Sequence, residues 1–301
     1  MYIEQGRKGK LGMWKYLPVP IGFLGLILFN LMFTQGVDID ALMAEQIETL
    51  GKPLFFLISV GPFVIFLAGL LFWVKVVHQQ GITSLTTSRK KIDWKRVLFM
   101  FTLVTLYILV TTGVLYYLYP EDFQLNFELD AFITLAIMAI IIVPMQTSFE
   151  EYLFRGHMMQ GLGLATKTRW IPLIVTSVIF GAMHFGNPEV AKIGPHIMVY
   201  YIGTGLFLGI ITLMDEGLEL ALGFHAANNL ITALLVTSSW TAFQTDSILL
   251  YTGEPETGLE ILIPVFVVFP IYILILWKKY KWSGWRDKLF GKVKPEIQME
   301  K

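Results

Sequence analysis

The hydrophobic positions of this chain form long unbroken runs rather than amphipathic stripes. Stretches free of Asp, Glu, Lys and Arg occupy 17–36, 54–74, 97–119, 131–149, 170–186, 195–214, 220–245 and 261–277. A helix needs roughly 20 mostly apolar residues to cross the hydrocarbon of a bilayer. The pattern therefore predicts about eight spanning helices, an all-α polytopic bundle. Arg7, Lys8, Lys10 and Lys15 precede the first run, as they would in a signal peptide. Its apolar stretch is longer than a signal-peptide core and no small-residue cleavage site comes after it, so it reads as a retained anchor.

Composition agrees with the pattern. The 301 residues are 55% hydrophobic and only 15% charged, against about 25% charged in soluble domains. A chain this apolar is not disordered. The net charge is zero, with 23 basic and 23 acidic residues, so no basic excess suggests nucleic acid. There is no cysteine, which excludes disulfides, thiolate metal sites and a cysteine nucleophile.

The basic residues set an orientation. Twenty of the 23 lie in four segments: the N-terminus, 75–96, the turn at 162–169 and the tail from 278. These fall on one side if eight runs alternate, and Lys52 and Lys192 stand alone on the other. Cytoplasmic loops carry the Lys and Arg excess, so both termini are expected in the cytoplasm. The inner loop at Asp215 and Glu216 is acidic and gives no support. Segments 37–52 and 120–130, on the outer side, are acidic as well. The basic, aromatic stretch after Trp277 reads as a membrane-surface helix held by anionic lipid. The chain divides into an N-terminal region with three spans (1–128), a core (129–236), and a last span with its basic tail (237–301). No internal repeat is visible.

Ionisable side chains at membrane depth are costly and are functional candidates by default. They occur in three clusters: Glu150, Glu151 and Arg155; His184 after Phe180; and His225 with Asn228 and Asn229. Glu151 and Arg155 are four apart and share a helix face, so they can pair, while Glu150 lies about 100° around the helix and is left free. A free buried carboxylate suits a general base. Pro144 is a candidate kink in the same helix. Glu150 and His184 each lie 17 residues from Lys167, so two helical arms bring them to similar depth, roughly 25 Å from the turn. His225 and Asn229 share one face. Together these groups can deprotonate a water and donate to an oxyanion, which is a kit for amide hydrolysis. The same Glu and His residues could ligate a divalent metal instead. The motif H-E-x-x-H is absent, and no Ser-His-Asp pattern is apparent.

Glu150-Glu151-x-x-x-Arg155, Phe180-x-x-x-His184 and His225-x-x-x-Asn229 succeed one another in order. In this the chain resembles the CPBP family of intramembrane proteases, the CAAX protease and bacteriocin-processing or Abi family, over about residues 129–236. The resemblance implies that Glu150 is the base on water and His184 helps hold that water. It implies that His225 and Asn229 stabilise the oxyanion, while Glu151 and Arg155 order the site and Phe180 packs. No cofactor is certain. If zinc is bound, Glu150, His184 and His225 are the expected ligands. The expected partners are a peptide or protein substrate at the membrane, prenylated or not, and the bilayer itself. The expected place is a bacterial plasma membrane. The rival expectation is a non-proteolytic immunity or scaffold protein using the same buried groups, and a proton-coupled transporter is a weaker third. Neither substrate nor oligomeric state can be read from the sequence. Asn228 could replace Asn229 at i+3 from His225. His157 shares the face of Glu150 two turns on and reads as supporting or packing. His196 reads as interfacial, and Gly205-x-x-x-Gly209 as a helix contact.

Overall fold

The computed structural model describes residues 1–255 and 258–295. Eight helices carry the fold: α1 (Met13–Phe33), α2 (Lys52–Val76), α3 (Trp94–Leu118), α4 (Leu129–Thr166), α5 (Trp170–Ala182), α6 (Pro195–Asp215), α7 (Glu219–Leu235) and α8 (Glu260–Tyr280). Among the described residues, six of them are long and apolar enough to cross a membrane; α5 and α7 are not. The chain is an integral membrane protein of the all-α polytopic class expected.

Two of the expected runs are shorter as helices. The run 170–186 is helical only to Ala182, after which hydrogen bonds from His184 N–H to Gly181 O and from Phe185 N–H to Ala182 O turn the chain. The run 220–245 is helical only to Leu235, and Val236–Thr237 is a strand. Residues 236–245 lack charges but are rich in Ser and Thr, and an uncharged segment is not thereby a helix. A small sheet forms at that end, ordered β1 (Phe123–Leu125), β3 (Leu249–Tyr251), β2 (Val236–Thr237). The first pair is antiparallel and the second parallel.

Lipid-facing and inward-facing helices are easily told apart. Helices α1, α3 and the first half of α4 display large exposed apolar side chains such as Phe29, Met32, Val110, Ile137 and Ile141. By contrast α7 buries Leu220, Ala221, Phe224, His225 and Ala227, and packs against α3, α4 and α6. The most polar helix is thus the innermost, where its amides and imidazole escape lipid. Gly205 shows how closely α5 and α6 approach: a Cβ there would stand 2.7 Å from the Ser177 carbonyl oxygen. A Cβ on Gly209 of α6 would strike Leu173 of α5, so the small-residue motif is a helix contact, as expected.

Polar contacts gather the loops at two ends. At one end, Arg89 and Arg96 pair with Asp215, and Arg89 also with Glu219. Lys288 pairs with Glu216, and Arg169 with Glu4. The acidic inner loop is therefore neutralised by the basic segments around it. At the other end, Lys52 pairs with Asp246, and Asn126 donates to Ser247 O. The alternation of loops matches the charge pattern. The basic tail also meets the protein at this end. It forms a helix of only six residues, Trp285–Phe290, and docks on the protein. Trp282 Nε1 donates to Asp215 at 3.0 Å, and Lys288 Nζ donates to Met214 O.

Candidate active site

Helix α4 supplies the carboxylates. It is α-helical through Glu151, without a break at Pro144, and then widens into a π turn over Tyr152–Met158. Such turns recur at functional sites, and they shift the register of the helix beyond them. Glu150, Glu151 and Arg155 are all buried. Arg155 Nη1 donates to Glu151 at 2.8 Å, and its Nη2 to the Gly205 carbonyl on α6 at 3.1 Å. The guanidinium also lies 4.2 Å from the centroid of the Phe180 ring on α5. One arginine thereby ties three helices together.

Glu150 stays outside that pair. Gln146, one turn earlier on the same face, donates to its Oε1. Its Oε2 is buried without a hydrogen-bond partner among the described residues. His225 on α7 bridges the two glutamates. Its Nδ1 donates to Glu151 Oε1 at 2.8 Å, and its Nε2 lies 3.8 Å from Glu150 Oε2. Asn229, one turn further, donates to Gln146 Oε1 at 3.3 Å, and its own Oδ1 accepts from Asn228. One Asn229 N–H therefore fixes the amide, and the second remains for a ligand.

His184 stands just past the end of α5. Its Nδ1 donates back to Phe180 O at 2.7 Å, and its ring stacks on Tyr201 of α6 at 4.5 Å between centroids. In the neutral ring this places the proton on Nδ1 and leaves Nε2 as a lone-pair acceptor. Glu150, His184, His225 and Asn229 all line one cavity of about 380 Å³, together with Gln146 and Asn228. Glu151 and Arg155 lie behind its wall. The cavity reaches Glu189, Ala242 and Phe243, in the loops of the acidic end.

The remaining candidates go elsewhere. His157 is fully buried against the rings of Tyr16 and His78; the π turn moves it off the face of Glu150, and it packs. His196 is exposed in a short 3-10 turn. Gln146, Tyr201 and Asn187 are among the polar cavity residues that the motifs left out. Gln146 could have been found, since it sits four before Glu150; Tyr201 could not, since no spacing relates it to His184. Among the described residues no group of three His, Asp or Glu side chains is placed to hold a metal ion. As arranged, Glu150, His184 and His225 do not fit a zinc site.

Comparison with known proteins bears on this helical core. Residues 130–231 match the Rce1-like family, described as type II CAAX prenyl endopeptidase Rce1-like. The chain is also 27% identical over 239 residues to the uncharacterized protein YyaK of Bacillus subtilis (strain 168), covering 76% of this chain and 80% of that protein. No solved structure matches it. The stretch that builds the cavity, from the start of α4 to the Asn229 turn of α7, is thus the part of the chain that is similar to the Rce1-like family.

Proposed function

We propose that this protein is an intramembrane endopeptidase of a bacterial plasma membrane, hydrolysing a peptide bond of a membrane-associated or prenylated substrate with water activated by Glu150. The observation that carries the reading is the contrast between adjacent carboxylates. Glu151 takes both Arg155 and His225 on its Oε1 and lies behind the cavity wall, while Glu150 lines the cavity itself, with Oε1 held by Gln146 and Oε2 without a hydrogen-bond partner among the described residues.

The steps are set by the atoms at hand. A water beside Glu150 Oε2 loses its proton to that carboxylate as its oxygen attacks the carbonyl carbon of the substrate. His184 Nε2, held as an acceptor by its bond to Phe180 O, orients the water through the water's other hydrogen. The free N–H of Asn229 donates to the oxyanion that forms. His225 can add a second donor through Nε2 only when its ring is doubly protonated, because Nδ1 stays with Glu151. Collapse of the tetrahedral intermediate breaks the C–N bond, and Glu150 returns its proton to the leaving amine. Arg155 and Glu151 act on the reaction only through the position of His225. No step is routed through a metal.

The test is cleavage of a fluorogenic peptide library by the purified protein in lipid nanodiscs, with Glu150→Gln as the control. Cleavage by wild type and none by Glu150→Gln is the expected result. Equal cleavage by the two would reject Glu150 as the base.

A further inference from the structure

A second cavity, of about 690 Å³, lies beside the first at the acidic end, and Glu189 and Phe243 line both. Its wall is mainly apolar and aromatic, including Leu115, Tyr119, Trp240 and Ile261. Strand β2, continuing directly from α7, runs along it. The two spaces therefore adjoin, one reaching the acidic end of the molecule and the other Glu150, with Glu189 and Phe243 on the wall between them.

The Glu189 carboxylate is fixed and half-used. Its Oε1 accepts from the Ala242 N–H at 2.9 Å. Its Oε2 is buried, with no hydrogen-bond partner among the described residues. No described cation pairs with it: Lys52, one of two basic residues at this end, is taken by Asp246, and Lys192 is exposed on the next turn. Burial raises the carboxyl above its ordinary range, and the Ala242 N–H opposes that shift. An unpaired carboxylate oxygen beside a mainly apolar cavity is costly unless a ligand completes it. The surroundings say which charge. Asp122 lines the second cavity, and Asp38, Asp40, Glu121 and Glu128 add to the same end.

We propose that the substrate is a peptide segment that enters from this acidic end, and that Glu189 receives a lysine or arginine side chain of that segment. This rests on the hydrolytic reading of the neighbouring cavity. The aliphatic stem of the side chain would lie along the apolar wall while its cationic head meets Glu189 Oε2. Glu189 thus acts as a specificity residue, and takes no part in the bond-breaking step.

The test uses the full-length protein in nanodiscs and peptides identical except at one scanned position, which carries Lys, Met or Glu. At one position Lys should exceed Met by about tenfold or more in kcat/KM, as a charge-assisted hydrogen bond supplies, and Glu should be poorest. Glu189→Gln keeps the acceptor for Ala242 and should bring the Lys-to-Met ratio to about one. Absence of any Lys preference in wild type, or a ratio unchanged by Glu189→Gln, would overturn the proposal. A second arm reads binding alone, by fluorescence anisotropy of the labelled peptides on Glu150→Gln protein with and without Glu189→Gln. Charge-selective binding lost with Glu189→Gln, but no cleavage by wild type, sinks the hydrolytic reading and keeps the Glu189 site. Cleavage without charge selectivity does the reverse.

Discussion

Replacing Arg155 by alanine should destabilise the fold far more than any conservative change at Glu150. Arg155 is fully buried, and it holds Glu151, the Gly205 carbonyl and the Phe180 ring at once. Arg155→Ala leaves Glu151 as a buried carboxylate with only the imidazole of His225 beside it. Removing one partner of a buried ion pair costs about 3–5 kcal/mol in soluble proteins. The lost bond to Gly205 O and the ring contact share the same geometry, so their energies do not add in full. At roughly 2 °C per kcal/mol for a chain of this size, Arg155→Ala should lower the melting temperature by about 6–10 °C in mild detergent. Glu150→Gln should stay within about 2 °C, the shift expected for about 1 kcal/mol. The cause can be isolated with Glu151→Gln in the Arg155→Ala background, which removes the orphaned charge and should restore part of the loss. Equal melting temperatures for Arg155→Ala and Glu150→Gln would rule out a bracing role for the pair, as would a double variant no more stable than Arg155→Ala alone.

Three further outcomes are expected. Gly205→Ala should lower the melting temperature and the turnover together, because its Cβ meets the Ser177 carbonyl and pushes away the oxygen that anchors Arg155; wild-type values for both would contradict the close packing of α5 on α6. Gln146→Ala should reduce kcat by about 10- to 100-fold with little change in KM, since a misplaced reacting group costs about that much; an unchanged kcat would remove Gln146 from the positioning of Glu150. Single cysteines introduced into this cysteine-free chain should react with an impermeant thiol reagent from outside the cell at position 254 and not at position 90; the reverse pattern would invert the topology.

The site is legible in the sequence where it is local. The pairing of Glu151 with Arg155 stems from a four-residue spacing, and it holds although Arg155 lies midway through the π turn. The sharing of one cavity by Glu150 and His184 accords with their equal distances from the turn at Lys167. The illegible part is tertiary. His225 meets Glu151 across 74 residues of chain, a contact set by how α7 rotates against α4. The spacing of His225 and Asn229 shows that they share a face, and is silent on which glutamate that face meets. The extents of α5 and α7 escape the sequence for another reason. Absence of charge does not by itself mark a span: α5 stops at Ala182, ahead of Gly186 and Pro188, and α7 stops at Leu235, ahead of a Ser- and Thr-rich segment. Helix α7 is interior, whereas α5 keeps an exposed apolar face at Trp170, Ile174 and Val178 and ends in the turn that carries His184 to the cavity.

The proposed function turns on Glu150 as the base on water, and single-turnover cleavage probes that role without interference from product release. A susceptible peptide from the library is mixed with excess wild type, Glu150→Gln or Glu151→Gln protein in nanodiscs, with thermal unfolding measured on the same samples. Glu150→Gln should give no detectable cleavage at a near wild-type melting temperature. Glu151→Gln should retain slower turnover, because Glu151 acts only through His225. Cleavage by Glu150→Gln at the wild-type rate, or a Glu151→Gln protein that is dead beside an active Glu150→Gln, would contradict the assignment.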